Sequence, residues 1–394
     1  MRSVFASFLI FVLAATQVPS DNPVSPSSSQ LRIAFARNMI FPKAVMDAPT
    51  PTNLFVADPS GAGSELQLTA DDRSENPVWS PDGRRIAFIH LNEGPDGRNM
   101  RDPANEVFVM DADGKNPKRI ATFRFLLLYQ GNAFSWSPDG TKLAVGAMTD
   151  TSSGFGPPSE SIFIVDVREP GKSPELLVEH GAFPSWSPDG NQIAYSCFSE
   201  HKPVGFTTSL CVTDARGKRE PRVVANQGWY PSWSPTGQHI AYLSRIGDKG
   251  QLMICKADGS VPLPLTDRKR DVRTFAWSPD GNRIAYTEMH RMEVEVTLSG
   301  TPHSVDVPRI FITKIDGTRM GPFGERDRLR CGDYLTWSPN GELLAAVCTS
   351  GLRDKTTHKQ RFEATLFVLD STDPGSPPRV IARNGVEQPV FSPR

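Results

Sequence analysis

The stretch Trp79-Ser80-Pro81-Asp82-Gly83 decides the fold, because it does not occur once. It returns unchanged as Trp136 to Gly140, Trp186 to Gly190 and Trp277 to Gly281. Altered copies are Trp233-Ser234-Pro235-Thr236-Gly237, Trp337-Ser338-Pro339-Asn340-Gly341 and, near the chain end, Phe391-Ser392-Pro393. Seven copies at separations of 57, 50, 47, 44, 60 and 54 residues are an internal repeat, and a period of this size points to a propeller or solenoid. Each copy has a job in a tight turn. Proline presets φ at the second turn position, Asp or Asn bonds its own backbone, and Gly takes the positive φ that closes the hairpin.

A strand therefore ends at Trp-Ser and another begins after Gly. The second strand carries a large apolar residue followed by alanine in every repeat: Ile86-Ala87, Leu143-Ala144, Ile193-Ala194, Ile240-Ala241, Ile284-Ala285, Leu344-Ala345 and, at the chain start, Ile33-Ala34. Large and small side chains alternate across the pleat, and the alanine face leaves room for the tryptophan of a neighbouring sheet. A third strand follows, as in Val107-Phe108-Val109 or Ile162-Phe163-Ile164, and a fourth apolar stretch such as Leu176-Leu177-Val178 completes the unit. The expected fold is all-β: a seven-bladed β-propeller with four antiparallel strands per blade, spanning residues 30–394. The last repeat stops after a first strand and the chain opens with a matching second strand, Leu31 to Phe35. One blade is thus expected to be assembled from both ends, closing the ring.

The W-S-P-D-G-x-x-I-A-F/Y copies resemble the repeat of TolB-like propellers, periplasmic partners of a peptidoglycan-associated lipoprotein, over residues 31–394. The resemblance implies this fold, without the extra α/β domain that precedes the propeller in orthodox TolB. The same repeat resembles the propeller that precedes the hydrolase domain of prolyl oligopeptidases, for which no room is expected after Arg394.

Composition agrees with many short elements: 31 Gly and 35 Pro in a chain that is only 38% hydrophobic. A formal charge of −1 supplies no basic footprint, so nucleic acid is not an expected partner. Residues 1–20 read as a signal peptide: Arg2, an apolar run from Val4 to Ala15, then small residues at Ala14, Ala15 and Ser20. The run is shorter than the roughly 20 residues that span a bilayer. Residues 21–29, rich in Ser and Pro, read as a disordered leader. The mature chain is expected to be periplasmic or secreted, monomeric and without a membrane span.

Catalytic signatures of the G-x-S-x-G, H-E-x-x-H and C-x-x-C kinds are absent from the sequence, and no catalytic residue, metal or cofactor is assigned. Long connections between second and third strands are expected at residues 37–52, 89–106, 147–161, 198–209, 288–309 and 349–365, all on one face. His90, His180, His201, His290, His303 and His358 fall in or beside them. Trp229, beside Tyr230, is the one tryptophan outside the repeat motif. Trp229, Tyr230, His90, His201 and His290 are therefore the candidate ligand-binding residues.

Five cysteines in an exported chain invite disulfides. Cys331 and Cys348 lie equally far from the centre of the Pro339-Asn340 turn and are expected to be bonded. Cys197 and Cys211 are a second candidate pair across a 13-residue loop, leaving Cys255 as a free, buried thiol. The expected function is a non-catalytic binding scaffold for a protein, peptide or envelope component. The alternative is a propeller enzyme, of polysaccharide lyase or hydrolase type, with a polar or metal site at the mouth of the central channel.

Overall fold

The computed structural model describes residues 31–38, 52–61, 63–92, 104–123, 125–126, 134–148, 160–201, 205–246, 249–294, 303–324, 330–353, 360–383 and 386–393. The signal-peptide and leader assignments, and His358, lie outside the described residues. Within them the chain forms seven separate antiparallel sheets and no helix. Blade 2 shows the plan, from channel outward: Ser74–Trp79, Arg85–Asn92, Ala104–Asp111, Lys118–Phe123. The innermost strands of blades 4 to 7 are Gly181–Trp186, Gly228–Trp233, Val272–Trp277 and Arg330–Trp337. In blade 1 the innermost strand is Val386–Phe391, paired with Ile33–Asn38 from the other end of the chain. Ser392 N donates to Arg32 O at 2.8 Å, and Arg32 N donates to Ser392 Oγ at 3.1 Å, fastening that joint.

The repeat motif makes both the turn and the seam between blades. In blade 2, Gly83 has φ +67° and donates its N–H to Ser80 O, while Ser80 Oγ bonds Asp82 and accepts Arg85 N. The motif aromatic then packs against the alanine of the preceding blade, all the way round: Trp79 on Ala34, Trp136 on Ala87, Trp186 on Ala144, Trp233 on Ala194, Trp277 on Ala241, Trp337 on Ala285 and Phe391 on Ala345. A buried tryptophan removes about 150–250 Å² from water, a gross gain of about 4–6 kcal/mol before ordering costs. Four of the indoles add a hydrogen bond to the preceding innermost strand: Trp79 Nε1 to Val390 O, Trp136 Nε1 to Val78 O, Trp277 Nε1 to Ser232 O and Trp337 Nε1 to Ala276 O, at 3.0 to 3.2 Å. A single side chain thus fills one seam and fixes its register.

Three details depart from the sequence reading. Much of residues 198–209, 288–309 and 349–365 is ladder rather than loop: strands run on to His201, Val294 and Arg353, and restart at Gly205, His303 and Gln360. Residues 288–309 carry the alternation of a strand, in Met292-Glu293-Val294 and Val305-Asp306-Val307, whereas 198–209 and 349–365 lack it and gave no such signal. In blade 3 the innermost strand is split into Phe125–Leu126 and Phe134–Trp136, both paired with Lys142–Met148. Lastly, Cys331 and Cys348 are bonded and directly paired, but not for the reason of equal spacing. Beside the turn Trp337 faces Leu344, so the hairpin is centred one residue later than Pro339-Asn340. A bulge between Cys331 and Leu335 then shifts the first strand back into register with Cys348. Cys197 and Cys211 are also bonded, diagonally across neighbouring strands, and Cys255 is a buried free thiol.

Candidate functional site

Each innermost strand runs from the face bearing the second-to-third-strand connections towards the face bearing the motif turns. Part-way along, three residues before the motif aromatic, the ladder of most blades is broken by a bulge. At that position four residues other than glycine take a positive φ: Asn76 (+53°), Phe183 (+56°), Tyr230 (+50°) and Gln388 (+51°). For bulky Phe and Tyr this conformation is strained. The sequence marks the position. Each of the four precedes a proline, namely Pro77, Pro184, Pro231 and Pro389, and proline within a sheet is confined to edge strands, strand starts and bulges because it cannot donate to the ladder.

Neighbouring blades bring these residues together in two halves. On one side Asn76 N donates to Gln388 Oε1 at 2.5 Å, joining blades 2 and 1. Asn76 is 2% exposed, yet its side-chain amide nitrogen and oxygen both lack a hydrogen-bond partner among the described residues. A buried amide in that state has given up its water without repayment, at a cost of about 1–3 kcal/mol. On the other side the Phe183 and Tyr230 rings, from blades 4 and 5, lie 4.2 Å apart. Trp229 stands 6.5 Å from Phe183 and 5.8 Å from Phe198, and Met148 closes the cluster. Trp229 and Tyr230 remain part-exposed. This ring of bulges, the rim, is therefore amide in blades 1 and 2 and aromatic in blades 4 and 5.

The candidate histidines are not gathered here. His90, in blade 2, lies 3.7 Å from Asp71 and 3.6 Å from Glu106, with its ring 5.7 Å from that of Phe108. His290, in blade 6, lies 2.8 Å from the fully buried Glu288, which also binds Arg270 and Arg319. Burial lowers the His290 pKa, opposed by Glu288 and assisted by Arg270, Arg309 and Arg319. His201 ends its strand in blade 4 opposite Gly205. The three thus occupy three different blades. Among the described residues no group of three or more His, Cys, Asp or Glu is arranged to hold a metal ion.

Sequence reasoning reached Trp229 and Tyr230 because they stand outside the motif. It missed Asn76, Phe183 and Gln388, whose signal was the column of residue-plus-proline just before the motif. It also missed Glu160. That carboxyl opens a strand of blade 3, and burial pushes its pKa from 4.5 up to about 7. Below pH 4.5 the group is neutral in folded and unfolded chains alike. Between 4.5 and 7 the unfolded chain ionises first, so stability falls as pH rises through that window. Glu160→Gln stays neutral throughout. Its Tm is expected to match the parent at pH 4.5 and exceed it at pH 8; a lower Tm at pH 8 would mean that the carboxylate is paired.

A cavity of about 750 Å³ opens at the opposite mouth, lined by Trp79, Pro81, Pro235, Pro279, Pro339 and Pro393 among others. Its walls are the motif turns themselves. Its polar residues are already engaged, Asp280 by Ser278 at 2.5 Å and Asn340 by Ser338 at 2.6 Å. Size alone does not make this mouth the better site.

Comparison with known proteins agrees with the architecture. The model of the TolB beta propeller domain family matches residues 96–301. The Tol-Pal system protein TolB of Thioalkalivibrio sulfidiphilus (strain HL-EbGR7) is 37% identical over 71 residues, 18% of this chain and 14% of that protein. The uncharacterized peptidase YuxL of Bacillus subtilis (strain 168) is 33% identical over 94 residues, 24% of this chain and 12% of that protein. The matched segments are thus small parts of those relatives. Among solved structures, the β-propeller domain of the trilobed protease from Pyrococcus furiosus superposes with a TM-score of 0.57 at 14% identity, covering 89% of this chain and 94% of that one. At that identity the likeness speaks for the fold alone.

Proposed function

The chain belongs to the TolB β-propeller family, and from that premise we propose that it is an exported, monomeric, non-catalytic scaffold that binds a protein, peptide or envelope component at the bulge-lined channel mouth. The observation that carries this reading is the split rim. Fully buried Asn76 has an amide donor and acceptor unused, and a peptide backbone or another amide-bearing group offers the matching pair. The aromatic arc opposite offers rigid apolar area, which binding sites favour over flexible side chains. Export rests on the signal-like residues 1–20; no described helix is long and apolar enough to cross a membrane. The competing reading, a propeller lyase or hydrolase, needs acid–base or metal groups converging on one point. His90 and His290 instead engage carboxylates of their own blades.

The test is capture from an envelope extract by immobilised mature chain. The rim is altered by Phe183→Asn and Tyr230→Asn together, because asparagine tolerates positive φ while removing the ring. The parent is expected to retain at least one component that the altered rim, still folded by its melt, releases by tenfold or more. Equal retention by both, or none by either, counts against the proposal.

A further inference from the structure

Glu160 faces Met148 across the ladder. On the same side of these two strands, Ile162, Ile164 and Ala144 pack against Trp186, Ile193 and Tyr195 of blade 4. Strand parity therefore sets Glu160 and Met148 in the seam between blades 3 and 4. Met148 in turn packs on Ala182, Phe183 and Phe198, together with Trp229 and Tyr230. The carboxylate is one side chain away from the aromatic arc of the rim.

Its oxygen Oε2 is buried and lacks a hydrogen-bond partner among the described residues. Burial is the sole cause moving its ionisation, with no lysine or arginine contributing. Among the described residues the two more deeply buried glutamates each have a cation: Glu106 has Arg119 at 2.7 Å, and Glu288 has Arg270 at 2.6 Å. A carboxylate removed from water without a countercharge is costly, and a cation brought by a ligand offsets that cost. The faces of Trp229, Tyr230 and Phe183 also attract cations and pack apolar groups.

We propose that Glu160 and the aromatic arc of blades 4 and 5 form a subsite for a cationic group carried on an apolar body, such as an amine or a basic side chain beside an aromatic or aliphatic one. The proposal rests on the binding-scaffold reading and gives its partner a chemical class. The carboxylate takes the charge, Met148 lines the path between, and the rings take the apolar part.

The experiment compares three probes of one shape by calorimetric titration at pH 8: 2-phenylethylamine, 2-phenylethanol and phenylacetate. The parent is expected to bind the amine at least tenfold more tightly than the alcohol, and phenylacetate more weakly than either. Glu160→Gln should bring the amine to the affinity of the alcohol, while Phe183→Asn should weaken both alike. Equal binding of amine and alcohol by the parent, a preference that survives in Glu160→Gln, or binding of neither overturns the subsite. Those outcomes leave the scaffold reading standing if the rim still captures a partner; loss of capture with the amine preference intact would overturn the scaffold reading and keep the subsite.

Discussion

A chain cut before Val386 is expected to lose its cooperative thermal transition altogether. The removed segment is the innermost strand of blade 1, and Val386 and Phe391 are 0% and 5% exposed. Without it the strand Ile33–Asn38 becomes an open edge, Trp79 loses the carbonyl of Val390, and the seam with blade 7 loses the aromatic that fills it over Ala345. Truncating Phe391 alone to alanine should cost about 3–5 kcal/mol, a large share of a typical total of about 5–15 kcal/mol. The single substitution should therefore stay folded with a Tm lower by roughly 4–7 °C for a chain of this size. The deletion should give no sigmoidal melt by circular dichroism and elute as an expanded species. A deletion that melts at the parental temperature would mean that six blades close without the seventh innermost strand.

The second large effect is expected at Glu288. This carboxylate is wholly buried and ties together three elements: Arg270 in the link into blade 6 at 2.6 Å, Arg319 on the outermost strand at 3.1 Å, and His290 on its own strand at 2.8 Å. Arg319 also lies over the Phe311 ring at 3.7 Å. Removing the acid strands cations that had been held around it. Because the arginines are 41% and 33% exposed, they turn partly to water, which limits the loss. Glu288→Ala should cost about 2–4 kcal/mol in urea unfolding, and Glu288→Gln, which keeps an acceptor, about 1–2 kcal/mol. A Glu288→Ala midpoint within about 0.5 kcal/mol of the parent would show that the cluster is surface electrostatics only.

Both effects follow from where the sequence was readable. Trp, Ser, Pro and Gly recur in fixed columns because every blade solves the same problem, so strand ends, the alanine–tryptophan seam and the shared blade could be read from spacing alone. The channel mouth is the opposite case. Asn76, Phe183, Tyr230 and Gln388 hold one column with four different side chains, and each looks ordinary in its own repeat. Only the proline that follows all four marks the bulge. Glu160 left no trace in the chain, since strand parity sets it in the seam with blade 4, which is remote in sequence. His90 and His290 were conspicuous for the wrong reason. As polar residues near strand ends they looked available, whereas both sit beside acids: His90 beside Asp71 and Glu106, which only the folded blade brings near, and His290 beside Glu288, two residues earlier on its own strand.

The central claim is that a partner enters by the bulge-lined mouth and not by the cavity at the motif turns. Site-specific photo-cross-linking tests it most directly, with a benzophenone side chain placed at position 230 in one protein and at position 235 in another. Each is exposed to the same envelope extract. The account predicts a discrete adduct from position 230 and none from position 235. An adduct from position 235 alone, or from neither position while the protein still captures its partner, would contradict it.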